Sequence, residues 1–252
     1  MQLLNDMLNA LYTMPLEGVS LWALVENVVL FAVALVIGHF LVKWNKDRVV
    51  SPPAPPLTRA EVLLAASCVV LNAVVTVAGV ILWRAGIIRL RDDYSLLGAV
   101  VDTVVLFFAM DFAMYVFHRV AHLRLLYPII HRTHHLYENP RPLTLFVLNP
   151  FEVLGFGGLW LVVLVIYHAG VPGILIYLTL NLAFGLVGHL GVEPMPGRWL
   201  KVPLVNYVST STFHAEHHMD KDHNYGFYTL IWDKLFGTLS PEYMSDFESA
   251  AG

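Results

Sequence analysis

Cysteine is almost absent from this chain. Cys68 stands alone inside an apolar run, so no internal disulfide can form and the redox compartment is left open. Charge is scarce as well: 13% of the 252 residues are Asp, Glu, Lys or Arg, against 57% hydrophobic, and the mean hydropathy is +0.64. A soluble domain carries roughly 25% charged and 45–50% apolar residues, so the balance is tilted toward lipid. The formal net charge of -4 is small and no basic tract occurs, which argues against a nucleic-acid partner. The first twenty residues hold no Lys or Arg and carry Asp6, which argues against a cleaved signal peptide. There is no internal repeat and no low-complexity tract.

Familiar catalytic signatures are missing in turn. No HExxH occurs, so the helix-borne zinc-protease pattern fails, and "HAEHH" at 214–218 has its Glu at the wrong spacing. No Glu-x-x-His occurs, which disfavours the carboxylate di-iron bundle. There is no P-loop. "GFGG" at 155–158 lies in an apolar run, does not match a dinucleotide fingerprint, and reads as a helix-packing stretch. With no nicotinamide or flavin motif, any electrons must come from a partner.

Long apolar runs are what the chain does have. Residues 21–41, 62–83, 96–117, 151–169 and 174–190 read as membrane helices, the last two short and joined by a hairpin at "GVPG", 170–173. The first fourteen residues fit an interfacial helix, and the Pro-rich "SPPAPP" at 51–56 separates the first two spans. With five spans alternating, twelve of the fifteen Lys and Arg collect on one side and three on the other. The positive-inside rule then sets the N-terminus outside or lumenal and the C-terminus in the cytosol, in a bacterial inner membrane or an endoplasmic reticulum.

Histidine is the other abundance. "HRVAHLRLLYPIIHRTHH" at 118–135 holds five of the twelve histidines and "FHAEHHMDKDHNYG" at 213–226 holds four. His118 and His122 are four apart and share a helix face. His131, His134 and His135 are spaced i, i+3, i+4, and His214, His217 and His218 repeat that spacing. Pro128 suits the first turn of a returning helix, and "STST" at 209–212 offers N-caps. His189 ends the fifth span on the same side. Nine imidazoles from four segments would repel one another if protonated, and a metal or exposure to water relieves that. Neutral imidazole suits Fe, Zn, Cu and Ni, and two metals fit the number. His39 and His168, isolated near span ends, read as ordinary interfacial residues. Asp111, Tyr115, His118 and His122 fall on one face of the third span, so Asp111 or Tyr115 is a candidate to hydrogen-bond a ligand ring and fix its tautomer. Pairing of Asp111 with another buried polar group, such as Asn72 or Asn181, is the other reading. Glu216 is a third candidate, beside the ligands or as a general base.

The ordered set "DFAMYVFHRVAH" (111–122), "HRTHH", "GHLGVEP" (188–194), "FHAEHH" and "HNYGFYTLIWDKLFGT" (223–238) resembles the membrane fatty acid hydroxylase / sterol desaturase superfamily over residues 95–240. The resemblance implies an all-α integral membrane protein of four to five transmembrane helices with a cytosolic, histidine-rich helical cap. Its parts would be a transmembrane region at 1–95, a di-iron domain at 96–240 and a tail at 241–252. It implies two Fe ions, O2 as co-substrate, and attack on an unactivated C–H bond of a lipid, by hydroxylation or desaturation of an acyl chain or sterol. Electrons would come from NAD(P)H through its reductase and cytochrome b5 or a ferredoxin. The implied ligands are His118, His122, His131, His134, His135, His189, His214, His217 and His218, with His223 a tenth ligand or a neighbour of one. Many members have His-Pro where this chain has Asn149-Pro150, which marks a different surrounding or substrate. The stretch "WDKLFGT" reads as structural cover beneath the site. The rival class is a zinc-dependent membrane hydrolase or a metal transporter.

Overall fold

The structure, a computed structural model, describes residues 2–252. Among the described residues there is no β-strand, only three isolated bridges. Four helices are long and apolar enough to cross a membrane: α2 (Leu16–Trp44), α3 (Arg59–Arg84), α4 (Leu96–Ala121) and α8 (Val171–Gly188). The apolar α7 (Pro150–Ile166) has 17 residues, a rise of about 26 Å against a hydrocarbon core of about 30 Å. All five apolar runs are therefore helical, as an environment without water requires, since a helix pairs its own backbone groups. The preceding α1 (Gln2–Thr13) buries no residue and docks on the end of α3, where Tyr12 meets Trp83 edge-on and Arg84 donates to the Met14 carbonyl at 2.7 Å.

Helix ends depart from the apolar runs by up to five residues, and one departure moves a turn. The α7–α8 hairpin turns at residues 167–170, and Val171, Pro172 and Gly173 already form the first turn of α8. Proline is at ease there, because the N–H it lacks would have no helical partner. The tight turn is clasped by Asp102 of α4, fully buried, which accepts from Gly170 N, Tyr167 Oη and Arg91 Nη2, each at 2.7 Å. A carboxyl this deep is tolerated because both of its oxygens meet donors.

The helix α3 lies against α2 and α7, and α4 against α7 and α8. The glycines of "GFGG" do serve packing: Gly155 leaves room for the Phe117 ring and Gly157 for Val75. Thr58 and Glu61 form a capping box at the start of α3, and Glu61 also meets Arg141 at 3.2 Å.

Beyond the spans lies a cap of short helices: α5 (Tyr127–Ile130), α6 (Arg132–His135), α9 (Ser211–Met219), α10 (Ile231–Phe236) and α11 (Tyr243–Ala251). Isolated helices this short do not persist in water, so tertiary contacts must hold them. Phe213, Leu230, Tyr243 and Phe247 make a small apolar core under the cap. Asp233 accepts from Tyr225 N (2.8 Å), Gly226 N (2.7 Å) and Thr238 Oγ1 (2.7 Å). Asn224, at φ 59°, donates to Phe213 O and receives Ser240 N. The NYG…WDKLFGT stretch is thus a knot of side-chain-to-backbone bonds, the structural cover read from the sequence.

Candidate metal centre

Four segments carry histidines to one end of the bundle. His118 sits in the last turn of α4 and His122 is its C-cap. Pro128 opens α5 and turns the chain back, bringing His131 to the junction with α6, which bears His134 and His135. His189 is the C-cap of α8. Thr210 caps α9 by accepting from Phe213 N, and the helix presents His214, His217 and His218 on one side.

These nine rings form two groups, each with its ligand nitrogens within 4.8 Å of one another: His118, His122, His131, His135 and His217 in one, His134, His189, His214 and His218 in the other. All are buried except the half-buried His122. The hydrogen bonds fix which nitrogen faces inward. His118 Nδ1 donates to Tyr225 O (2.8 Å), His189 Nδ1 to Gly185 O (2.7 Å), and His217 Nδ1 to His223 O (2.6 Å). His134 Nδ1 is aimed at Val147 O at 3.5 Å. His131 Nδ1 meets the Glu152 carboxylate at 2.6 Å. A carbonyl only accepts, so each such Nδ1 carries the proton and the neutral ring turns a bare Nε2 inward.

Those bare nitrogens face each other. His118 Nε2 and His131 Nε2 are 2.8 Å apart, and His134 Nε2 and His189 Nε2 are 3.3 Å apart. In the His134–His189 pair both Nδ1 atoms face carbonyls, so no hydrogen is left to bridge it. Nor are the rings inclined to take a second proton. Burial, reinforced by neighbouring imidazoles, holds His131, His134, His214, His217 and His218 well below their ordinary range. Burial, with the charge of Lys221, brings His135 down to about 4. The buried Nε2 of His122 has no partner at all. Converging lone pairs without protons are what a cation relieves, and imidazole nitrogens in groups of five and four suit a first-row transition metal at each.

The other candidate residues lie elsewhere. The ring of His223 is outside both groups and bonds Asp220 at 2.8 Å; only its backbone carbonyl reaches the site, through His217. Asp111 touches no histidine. It accepts from Tyr228 N (2.9 Å), Thr229 N (3.2 Å), Thr229 Oγ1 (2.5 Å) and Trp232 Nε1 (3.0 Å), and so ties α4 to the segment leading into α10. Asn181 instead receives the hydroxyl of Tyr228 at 2.6 Å. Tyr115 pairs its hydroxyl with Thr238 at 3.0 Å. Glu216 accepts from Asn224 Nδ2 at 3.0 Å, and burial pushes its carboxyl up to about 7. On α9 it falls on the side opposite the three histidines. His39 and His168 join neither group. Asn149 caps α7 by accepting from Phe151 N at 2.9 Å and lies within 3.4 Å of the Thr133 hydroxyl.

Glu152 is the residue that spacing did not single out. It sits in the first turn of α7, 1% exposed. A carboxylate inside an apolar helix is by itself a sign of function, and that rule, applied to residues 151–169, points straight to it.

The two sides of the centre differ. A polar cavity of about 260 Å³, lined by Tyr127, Glu138, Asp220 and Lys221 among others, reaches the rings of His135 and His218. Elsewhere at the centre Phe227 lies 5.6 Å from the His118 ring and 6.4 Å from that of His214, and packs on Phe156 and the apolar core of the bundle.

Known proteins are similar to this chain in sequence. The fatty acid hydroxylase family model matches residues 103–238. Lathosterol oxidase of Homo sapiens is 31% identical over 174 residues, 66% of this chain and 56% of the relative. Methylsterol monooxygenase 1 of Gallus gallus is 28% identical over 124 residues, 49% of this chain and 41% of the relative. A very-long-chain aldehyde decarbonylase of Oryza sativa subsp. indica is 31% identical over 139 residues, 51% of this chain and 22% of the relative. The chain thus spans a little over half the length of the lathosterol oxidase and less of the other two. No solved structure matches it.

Proposed function

The chain belongs to the fatty acid hydroxylase family, and from that premise we propose a membrane-bound, O2-dependent lipid oxidoreductase, a hydroxylase or desaturase of an acyl chain or sterol. The observation that carries this reading is that two histidine groups meet both a polar cavity and the aromatic side chains of an apolar core. A sterol substrate is supported by the names of lathosterol oxidase and methylsterol monooxygenase, and an acyl chain by the family description.

His118, His122, His131, His135 and His217 would hold one iron and His134, His189, His214 and His218 the other. Two irons bound there supply O2 activation and the breaking of an unactivated C–H bond. The protein's own contribution is positional. Backbone carbonyls of Tyr225, Gly185 and His223 lock three rings with Nε2 inward, and Glu152 orients a fourth. Phe227 and Phe156 keep water from the lipid side of the centre. The charged rim of the polar cavity, with Glu138, Asp220 and Lys221, offers the side from which an electron carrier such as cytochrome b5 or a ferredoxin, fed by an NAD(P)H reductase, would approach. The excess of Lys and Arg at this end supports a cytosolic setting for it and an outside or lumenal N-terminus.

Two features weigh against the rival readings. A hydrolase needs a general base beside its metal-bound water, and Glu216 is on the far side of α9. A transporter spaces its ligands along a path near the midplane, whereas these rings gather at the ends of α4 and α8. The test is metal analysis of protein purified after growth with ample iron, followed by O2 consumption with a chemical reductant and a mixed lipid extract. About two irons per chain, O2 uptake that needs both reductant and lipid, and an oxidised lipid product support the reading. Lipid-hydrolysing activity with zinc and without O2 uptake overturns it.

A further inference from the structure

We infer that part of the cap, namely α10 and the turn at residues 202–207, is itself embedded in the histidine-side leaflet of the bilayer and binds anionic lipid headgroups. The inference rests on the spanning role of α4 and not on the reaction catalysed.

The first ground is depth. Arg91, Asp92 and Asp93 precede α4, and its first residues Leu96 and Leu97 are 81% and 75% exposed, which places the start of the apolar layer there. A helix rises 1.5 Å per residue, so Phe112 lies about 24 Å and Tyr115 about 29 Å along α4, inside a hydrocarbon core of about 30 Å. Those are the residues on which α10 rests. Trp232 packs on Phe112 at 4.7 Å between ring centroids, and Phe236 stacks on Tyr115 at 5.5 Å. Tilting α4 would bring these contacts deeper. The helix α10 therefore lies beside a span, below the level of His118, at the edge of the apolar layer.

The second ground is the surface presented. Leu235 is 66% and Phe236 50% exposed on α10. The neighbouring turn is joined to it by Leu230 N donating to Tyr207 O at 2.7 Å, and it exposes Leu204 at 81%, Val202 at 43% and Tyr207 at 41%. Leu204 is held at φ 71°, ψ -41°, in the left-handed region, with its side chain outward. These side chains continue the lipid-facing surface of α4, where Phe108, Phe112 and Val116 are exposed.

The third ground is charge. Between Glu193 and Glu216 there is no acidic residue, while Arg198 and Lys201 are exposed at the edge of the apolar turn. Lys234 of α10 sits over the Tyr207 ring at 4.0 Å. Tyr, Trp, Lys and Arg around an apolar surface are the composition of a membrane interface, and cations at that level meet the phosphates of anionic lipids. Of the possible occupants, lipid is favoured over a soluble protein by the depth of the α10 contacts.

Cys68 is buried, so a new surface cysteine can be labelled selectively. Nitroxide labels would be placed at Leu204→Cys and Leu235→Cys, with Phe108→Cys as a lipid-facing reference and Glu248→Cys as an aqueous one. The protein would be reconstituted in phosphatidylglycerol–phosphatidylcholine vesicles, and metal content would certify that each variant is folded. Collision of the label with O2, relative to a water-soluble nickel chelate, reports depth. The expected result is a ratio at residues 204 and 235 close to that at 108 and several-fold above that at 248. It should fall toward the aqueous value when Arg198, Lys201 and Lys234 are replaced by Glu, and fall in part in pure phosphatidylcholine. A ratio at 204 and 235 equal to that at 248 overturns the embedding and leaves the surface for a soluble partner. A lipid-like ratio indifferent to lipid charge and to the Glu replacements overturns the anionic preference.

Discussion

Glu152 Oε1 lies 2.6 Å from His131 Nδ1, with both side chains buried, and the opposite nitrogen of the same ring faces His118 Nε2 at 2.8 Å. One carboxylate on α7 therefore sets the orientation of a ring on the α5–α6 turn and, through it, the shape of the five-histidine group.

Replacing Glu152 with Gln keeps an oxygen acceptor in place but removes the carboxyl that pairs with His131. The expected result is metal affinity of that group lowered roughly 10- to 100-fold with the fold retained. Competition with a chelator of known affinity, followed by metal analysis, measures it. An unchanged affinity would mean that the carboxylate serves packing alone.

Division of the rings into two groups predicts separable metal losses. His134→Ala removes a ligand from the four-histidine group and His217→Ala one from the five-histidine group. Each variant should lose turnover while staying folded and membrane-bound, and each should retain about one metal where the parent holds about two. Full activity in His134→Ala would refute the assignment.

His223 makes the contrasting case. Its ring pairs with Asp220 near the surface and its contribution to the centre is a backbone carbonyl. His223→Ala keeps that carbonyl, so metal content should be unchanged, with a stability change within about 1 kcal/mol as for exposed pairs. Loss of one metal in this variant would return the ring to the ligand set.

Asp111 is expected to act on stability first. Asp111→Ala strands the buried donors of Tyr228, Thr229 and Trp232, and each unmet donor costs about 1–3 kcal/mol. A destabilisation of about 3 kcal/mol or more is expected in thermal melts in detergent. An unshifted melt with lost activity would instead place Asp111 in the chemistry.

The depressed histidines give a proton count. Metal binding displaces whatever protons its ligands carry. At pH 6 an ordinary imidazole of pKa about 6.5 is roughly three-quarters protonated, so nine such rings would release roughly seven protons. The cap rings are held well below that range, His135 at about 4. Metal-free protein loaded at pH 6 should therefore release few protons, read with an indicator dye in weak buffer. The same depression means that the unfolded chain takes up protons before the folded one. The stability of the metal-free protein should then be full above pH 6.5 and fall as pH drops toward 4.

The spans and the ligand nitrogens were written plainly in the sequence, for different reasons. Apolar runs have few options in lipid, so residues 21–41 or 96–117 could only be helices. Histidines at i, i+3, i+4 share a face wherever a helix forms, which made the convergence of His131, His134 and His135 with His214, His217 and His218 foreseeable. The partners of those rings were hidden, because most are backbone carbonyls, which every residue carries. Tyr225 and Gly185 accept through groups that their identities do not announce. Asp111 was legible as a buried charge, but not its direction. Its helix position allows it to face His118 or the α10 loop, and only the packing of Trp232 and Thr229 decides for the loop. The start of α8 was misplaced by three residues because proline and glycine mark a turn and the first turn of a helix alike.

The division of rings between groups has a consequence for biosynthesis. One group spans His118 to His217 and the other His134 to His218, so neither is complete until α9 has been translated. Both groups close with the same nine-residue helix, and the carbonyls of His223 and Tyr225 that orient two of the rings come later still. A chain that ends before α9 therefore carries neither group complete, however well its spans are formed.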